Sequence, residues 1–137
     1  GLRISYTNIS DSGLASLQAL TGLERLAIAA DDIGDAGLKN LAALTGLKEL
    51  VLNYGRFTDK GLIELREGLP LLTDLSADSA GFTDAGVETL RAMRQLKRLN
   101  LYHTLVTEKG FEQLKASLPK CEIIFDPNSS QPNRRHS

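Results

Sequence analysis

Phe57-Thr58-Asp59-Lys60-Gly61-Leu62 has four counterparts in this chain, and their spacing decides the fold. They are Ile9-Ser10-Asp11-Ser12-Gly13-Leu14, Ile33-Gly34-Asp35-Ala36-Gly37-Leu38, Phe82-Thr83-Asp84-Ala85-Gly86-Val87 and Val106-Thr107-Glu108-Lys109-Gly110-Phe111. Each block reads apolar, Ser/Thr/Gly, acid, any residue, Gly, apolar. The glycines at 13, 37, 61, 86 and 110 lie 24, 24, 25 and 24 residues apart. A fixed period in the twenties marks a solenoid of stacked identical units.

Working outward from a block gives the unit. Leu23, Leu26 and Ile28 form an L-x-x-L-x-L string whose alternation suits a short strand with one buried face. A turn through Asp31-Asp32 follows, and Ile33 returns to the interior. Gly34-Asp35 starts a helix carrying Leu38, Leu41 and Leu44 at helical spacing. Later units repeat the pattern with Leu47/Leu50/Leu52 and Leu62/Leu65/Leu69, then Leu72/Leu75/Ala77 and Val87/Leu90/Met93, and finally Leu96/Leu99/Leu101 and Phe111/Leu114/Leu118. One such unit cannot cover its own apolar face, whereas stacked neighbours share a continuous leucine core. Strands stack about 4.8 Å apart and helices about 10 Å apart, so the array curves with strands on the inside. Ser10, Thr58, Thr83 and Thr107 are positioned to cap helices, and the following acid suits the positive helix end. The repeated glycine marks a close backbone approach in the first helical turn.

The repeated string Leu26-x-Ile28 … Ile33-Gly34-Asp35-x-Gly37-Leu38 resembles leucine-rich repeats. More narrowly it is similar to the ribonuclease-inhibitor-like group, including F-box-associated and bacterial arrays with an I-T-D-x-G-L core. The resemblance spans roughly residues 2–126. It implies an α/β right-handed horseshoe, with a parallel sheet on the concave face, helices on the convex face and binding on the concave side. It implies no activity and no cofactor. The chain departs from the family where a turn Asn or Cys is common: Thr7, Asp31, Gly55, Ala80 and Thr104 stand there. Gly55 and Ala80 offer no side-chain hydrogen bond, so a less regular rim is expected at those two units. Single extra residues in Glu67-Gly68-Leu69-Pro70 and Ala116-Ser117-Leu118-Pro119 fit the helix-to-strand turn, with Pro ending the helix.

The array is expected to occupy residues 1–126, with a last strand over 121–126 and a polar, disordered tail over 127–137. Cys121 aligns with Leu23, Leu47, Leu72 and Leu96, which makes it a small core residue. At the other end Leu2 and Ile4 hold core positions with no polar cap before them. A longer array continuing ahead of Gly1, or self-association through that end, would cover them.

Bulk properties narrow the partners. The 16 basic and 17 acidic side chains nearly cancel, which argues against a broad grip on nucleic acid or an anionic membrane. No apolar run reaches the roughly 18 residues of a membrane span. A single cysteine rules out an internal disulfide framework and leaves the compartment open.

Strand alternation lists the concave positions in four columns. They are Arg25, Glu49, Asp74, Arg98; then Arg3, Ala27, Val51, Ser76, Asn100, Phe125; then Ser5, Ala29, Asn53, Asp78, Tyr102; and Tyr6, Ala30, Tyr54, Ser79, His103. All three tyrosines fall in the last two columns, and aromatic residues with Arg are frequent interface anchors. Asn53, Tyr54, Asp74, Asp78, Arg98, Tyr102 and His103 are therefore the candidate partner surface; the competing reading leaves them merely solvated. Asp74, Asp78 and His103 could converge as acid, base or metal ligands, but one His on an exposed sheet is more often a contact residue. No P-loop and no Ser-His-Asp or Cys-His arrangement is present, and Asp31-Asp32 offers too few oxygens for calcium. No catalytic residue, metal or cofactor is expected. The expected function is non-catalytic binding of a protein partner on the concave strand face. The alternative is a structural or regulatory C-terminal segment of a longer repeat protein, or of an enzyme not contained in this sequence.

Overall fold

The computed structural model describes residues 2–8, 13, 14, 17, 19, 20, 22–29 and 33–128, with side chains described outside 2–8 and 29. Ser10, Asp31, Asp32, Ala30, the Tyr6 side chain and the tail beyond 128 lie outside that set. The strands are β1 (Leu2–Asn8), β2 (Leu23–Ala29), β3 (Glu49–Val51), β4 (Asp74–Ser76), β5 (Arg98–Asn100) and β6 (Glu122–Ile124). Between them lie α1 (Asp35–Leu41), α2 (Asp59–Gly68), α3 (Asp84–Arg91) and α4 (Glu108–Ser117). All strand pairs are parallel, and the sheet order is β1-β2-β3-β4-β5-β6. Each helix packs on the next in the same order.

Between these two layers lies one core. Leu26, Leu50, Leu75 and Leu99 are buried register partners across the strands. Leu38, Leu62 and Val87 face them from the helices, with Leu41, Leu65, Leu90 and Leu114 one turn later. Ile33, Phe57, Phe82 and Val106 close the turn side, and the Phe57 and Phe82 rings meet at 5.4 Å. Each buried Leu contributes about 2 kcal/mol by leaving water, so every coil depends on its neighbours for stability.

The Asp-x-Gly block proves to be a joint between coils. Thr58, Thr83 and Thr107 cap their own helices through the side-chain oxygen, accepting from Lys60, Ala85 and Gly110 backbone N–H groups. The acid that begins each of the helices α1 to α3 reaches the following coil. Asp35 Oδ1 accepts from Thr58 N at 2.7 Å, Asp59 Oδ1 from Thr83 N at 2.9 Å and Asp84 Oδ1 from Thr107 N at 2.8 Å. The second oxygen of each carboxylate takes the hydroxyl proton of the same threonine. The glycines explain themselves here: a β-carbon at Gly61, Gly86 or Gly110 would overlap the carboxylate of Asp35, Asp59 or Asp84.

Two expectations change. The rim is regular at Gly55 and Ala80, because its bonds run sideways to neighbouring coils and within the turn backbone. Tyr54 N donates to Asp78 O, Arg56 N to Ile33 O and Ala80 N to Ala77 O. Thr104 adds a side-chain bond to Leu101 O at 2.8 Å. Gly55 is small for another reason, since a β-carbon there would strike the Phe57 ring.

The last coil slips by one residue. Cys121 N donates to Leu118 O just as Leu47, Leu72 and Leu96 bond three residues back, so the turn alignment of Cys121 holds. The strand then starts one residue early, pairing Leu99 with Ile123 and Asn100 with Ile124. Cys121 is consequently half-buried at the core edge instead of fully buried. Ile124, not Phe125, joins the concave column of Asn100, and Phe125 turns inward to stack on Phe111 at 4.6 Å.

The joint makes a double-mutant prediction. Asp59→Ala deprives Thr83 N of its charged acceptor and should cost about 3 kcal/mol in urea unfolding. Gly86→Ala should destabilise the wild type by expelling that carboxylate, and should cost at least about 1 kcal/mol less in the Asp59→Ala background. Additive losses would show that the carboxylate does not set the need for glycine.

Candidate functional site

The concave face presents two rows of strand side chains and a rim of two turn rows. The first strand row runs Arg25, Glu49, Asp74, Arg98, Glu122, and the second Ala27, Val51, Ser76, Asn100, Ile124. On β1 the register shifts, so Arg3 pairs with Arg25 and Ser5 with Ala27, each one column earlier than alternation places them. These residues point away from the core because their neighbours Leu26, Leu50, Leu75 and Leu99 point into it. An open hollow of about 210 Å³ lies over β3 to β6. Its outward-facing lining is Glu49, Val51, Asp74, Ser76, Arg98, Asn100, Glu122 and Ile124.

Charges in the first row are partly matched. Arg25 Nε meets Glu49 Oε2 at 3.0 Å, and Arg98 Nε lies 3.7 Å from Glu122 Oε2. Asp74, the register partner of both Glu49 and Arg98, takes instead the Thr73 hydroxyl at 2.9 Å. The second row is held by amide chemistry. Ser76 Oγ donates to Asn53 Oδ1 at 2.8 Å and accepts from Asn100 Nδ2 at 3.1 Å. Asn100 Oδ1 in turn accepts from Tyr102 N.

On the rim, Asn53 Oδ1 also accepts from Asp78 N at 3.0 Å. Asp78 Oδ1 accepts from Ser79 Oγ and lies 3.1 Å from His103 Nδ1. The Tyr102 and His103 rings meet edge to face at 4.0 Å. Tyr54, Ser79 and His103 all adopt left-handed backbone, with φ of 65°, 66° and 60°. A residue with a β-carbon carries a cost of about 1 kcal/mol or more in that conformation. The chain accepts it because the turn must hand Tyr54 N to Asp78 O and Ser79 N to Tyr102 O. The Tyr54 side of this rim is open to solvent, at 64% exposure.

Of the seven residues chosen from sequence, the structure groups five and separates two. Asn53, Tyr54, Asp78, Tyr102 and His103 form the rim, joined by the bonds above. Asp74 and Arg98 sit deeper, side by side on β4 and β5, and make no ion pair with each other. Sequence reasoning passed over Glu122 and Ile124, whose places depend on the slip after Cys121. Glu49 and Val51 stood in the right columns with nothing to mark them. Among the described residues, no group of three or more His, Cys, Asp or Glu is arranged to hold a metal ion. Nor is any helix there long and apolar enough to cross a membrane.

Comparison with known proteins gives the class. No protein-family model matches the chain, and no curated protein matches it. Solved structures do. An internalin from Listeria monocytogenes superposes with a TM-score of 0.56 at 21% identity over 94% of this chain. A leucine-rich-repeat protein of Leptospira interrogans superposes with a TM-score of 0.54 at 18% identity over 90%. The Mex67:Mtr2 subunits of Chaetomium match with a TM-score of 0.54 at 14% identity over 98%. At such identities the likeness is one of fold: the chain is a right-handed leucine-rich-repeat solenoid of the α/β class. It spans 44% and 37% of the first two structures.

Cys121 lies in a separate shallow depression with Arg94, Ser117 and Lys120, and its chemistry is testable. Partial burial raises its thiol pKa above the ordinary value, and the negative charges of Asp74 and Glu122 raise it further. The thiolate is the nucleophile, so a raised pKa means less of it at neutral pH. Iodoacetamide should alkylate Cys121 more slowly than free glutathione at pH 8, and Asp74→Asn should speed the reaction. Faster modification than glutathione would contradict this electrostatic picture.

Proposed function

We propose that this chain is a non-catalytic protein-interaction module that holds its partner against the concave strand face and the adjoining rim. Asn53, Tyr54, Asp74, Asp78, Arg98, Tyr102 and His103 are the proposed contacts, and the repeats are proposed to be of the ribonuclease-inhibitor-like type. The observation that carries the reading is the backbone at Tyr54. An aromatic ring is held in water on a left-handed residue, where glycine would be the more stable choice. Among the described residues no ring contact holds that side chain, and an external contact is the physical reason for keeping it. Tyr102 and His103 extend the same aromatic surface two coils along. Aromatic side chains supply large contact area with few rotatable bonds, which suits a hot spot.

Tyr54→Gly separates folding from binding. It should leave thermal stability unchanged or raise it by up to about 1 kcal/mol, while weakening capture of the partner at least about tenfold. The partner-facing side is checked by photo-cross-linking in native cells, with p-benzoylphenylalanine placed singly at Tyr54, Tyr102, and Glu112 of the convex helix α4. Adducts of one size from 54 and 102, and none from 112, are expected. The reverse pattern would sink the concave assignment.

A further inference from the structure

We infer that the hollow over β3 to β6 takes a basic side chain of the partner, a Lys or Arg carried on an extended segment with apolar neighbours. This rests on the concave-face reading and adds the chemistry of the occupant. The sheet face is unpartnered among the described residues, and its charge pattern is unequal. Glu49, Asp74 and Glu122 line the hollow against a single cation, Arg98. Arg25 reaches in from the side to Glu49, and Arg98 leans toward Glu122, which leaves Asp74 with a hydroxyl for a partner. Lys48 and Lys97 stand one residue earlier in their coils, outside the lining, and Lys48 lies 4.0 Å from Glu24.

Rearrangement within the row does not remove the surplus. Arg98 is 72% exposed in its side chain and could turn from Glu122 to its register partner Asp74. Exposed pairs of this kind hold by only about 0–1 kcal/mol. Arg3, the register partner of Arg25, lies on β1, three strands from Asp74. Whichever carboxylate Arg98 serves, the other is released, so the stretch of the row from β2 to β6 sets three acids against two guanidiniums and keeps one spare negative charge. That charge sits on a rigid sheet between two apolar side chains of the next row, Val51 and Ile124, with Ile124 46% exposed. An ammonium or guanidinium placed at Asp74 would complete the row, and flanking apolar residues would cover Val51 and Ile124. An acidic segment would meet the surplus with like charge. Ser76 and Asn100 between them are already engaged with Asn53 and Tyr102, which keeps the floor polar but fixed.

The test is an amide-shift NMR titration of the full chain with three capped tripeptides, acetyl-Val-X-Val-amide, where X is arginine, norleucine or glutamate. The arginine peptide should move the amides of Val51, Asp74, Ser76, Asn100 and Ile124. Its affinity should exceed that of the glutamate peptide at least fivefold, fall at least fivefold in Asp74→Asn, and be largely kept in Asp74→Glu. If all three peptides move these amides alike and Asp74→Asn changes nothing, the cationic occupant is overturned while the concave-face reading stands. If no peptide moves them, the cationic occupant is likewise overturned. The wider reading is then judged separately by the cross-links from positions 54 and 102.

Discussion

From α1 to α4 each coil is fastened to the next by a carboxylate that accepts two hydrogen bonds from one threonine. In three successive joints the pairs are Asp35 with Thr58, Asp59 with Thr83 and Asp84 with Thr107. Leucine burial drives stacking but is non-directional, and a smooth apolar layer tolerates sliding. The carboxylate supplies direction: it fixes where one helix starts relative to the one before it. The glycine three residues after each of these threonines keeps that space open, so the block is one device spread over two coils. The strands of these fastened coils, β2 to β5, keep strict register.

The same alignment gives the concave face its character. Because the strands hold strict register from β2 to β5, like positions form straight rows, and the chemistry of a row is the chemistry of the surface. The outer row is charged, the next is small, amide or apolar, and the rim is aromatic. The hollow over β3 to β6 is open to solvent. The left-handed residues of the rim spend some stability at recurring places, and two of the three carry a ring outward.

The coil after α4 departs from the register of those before it. Phe125 stacks on Phe111 of α4, with the planes only 3° apart. The one-residue slip after Cys121 makes this possible by returning Phe125 to the interior. The slip also brings Ile124 and Glu122 onto the concave face. A one-residue change in one turn thus alters both the core beside α4 and the composition of the surface.

Much of this was legible in the chain itself. The period, the strand-then-helix order, the buried leucines and the capping threonines all rest on local patterns that repeat, and repetition makes a weak local signal strong. The columns holding Asp74, Arg98, Tyr54 and His103 followed from alternation alone. Only the folded chain decided that Asp59 bonds to Thr83, that Tyr54, Ser79 and His103 are left-handed, and that Ile124 replaces Phe125 on the surface. Those features are contacts between residues some two dozen positions apart or one-residue shifts in a turn. Periodicity averages over both, whereas packing in three dimensions resolves them.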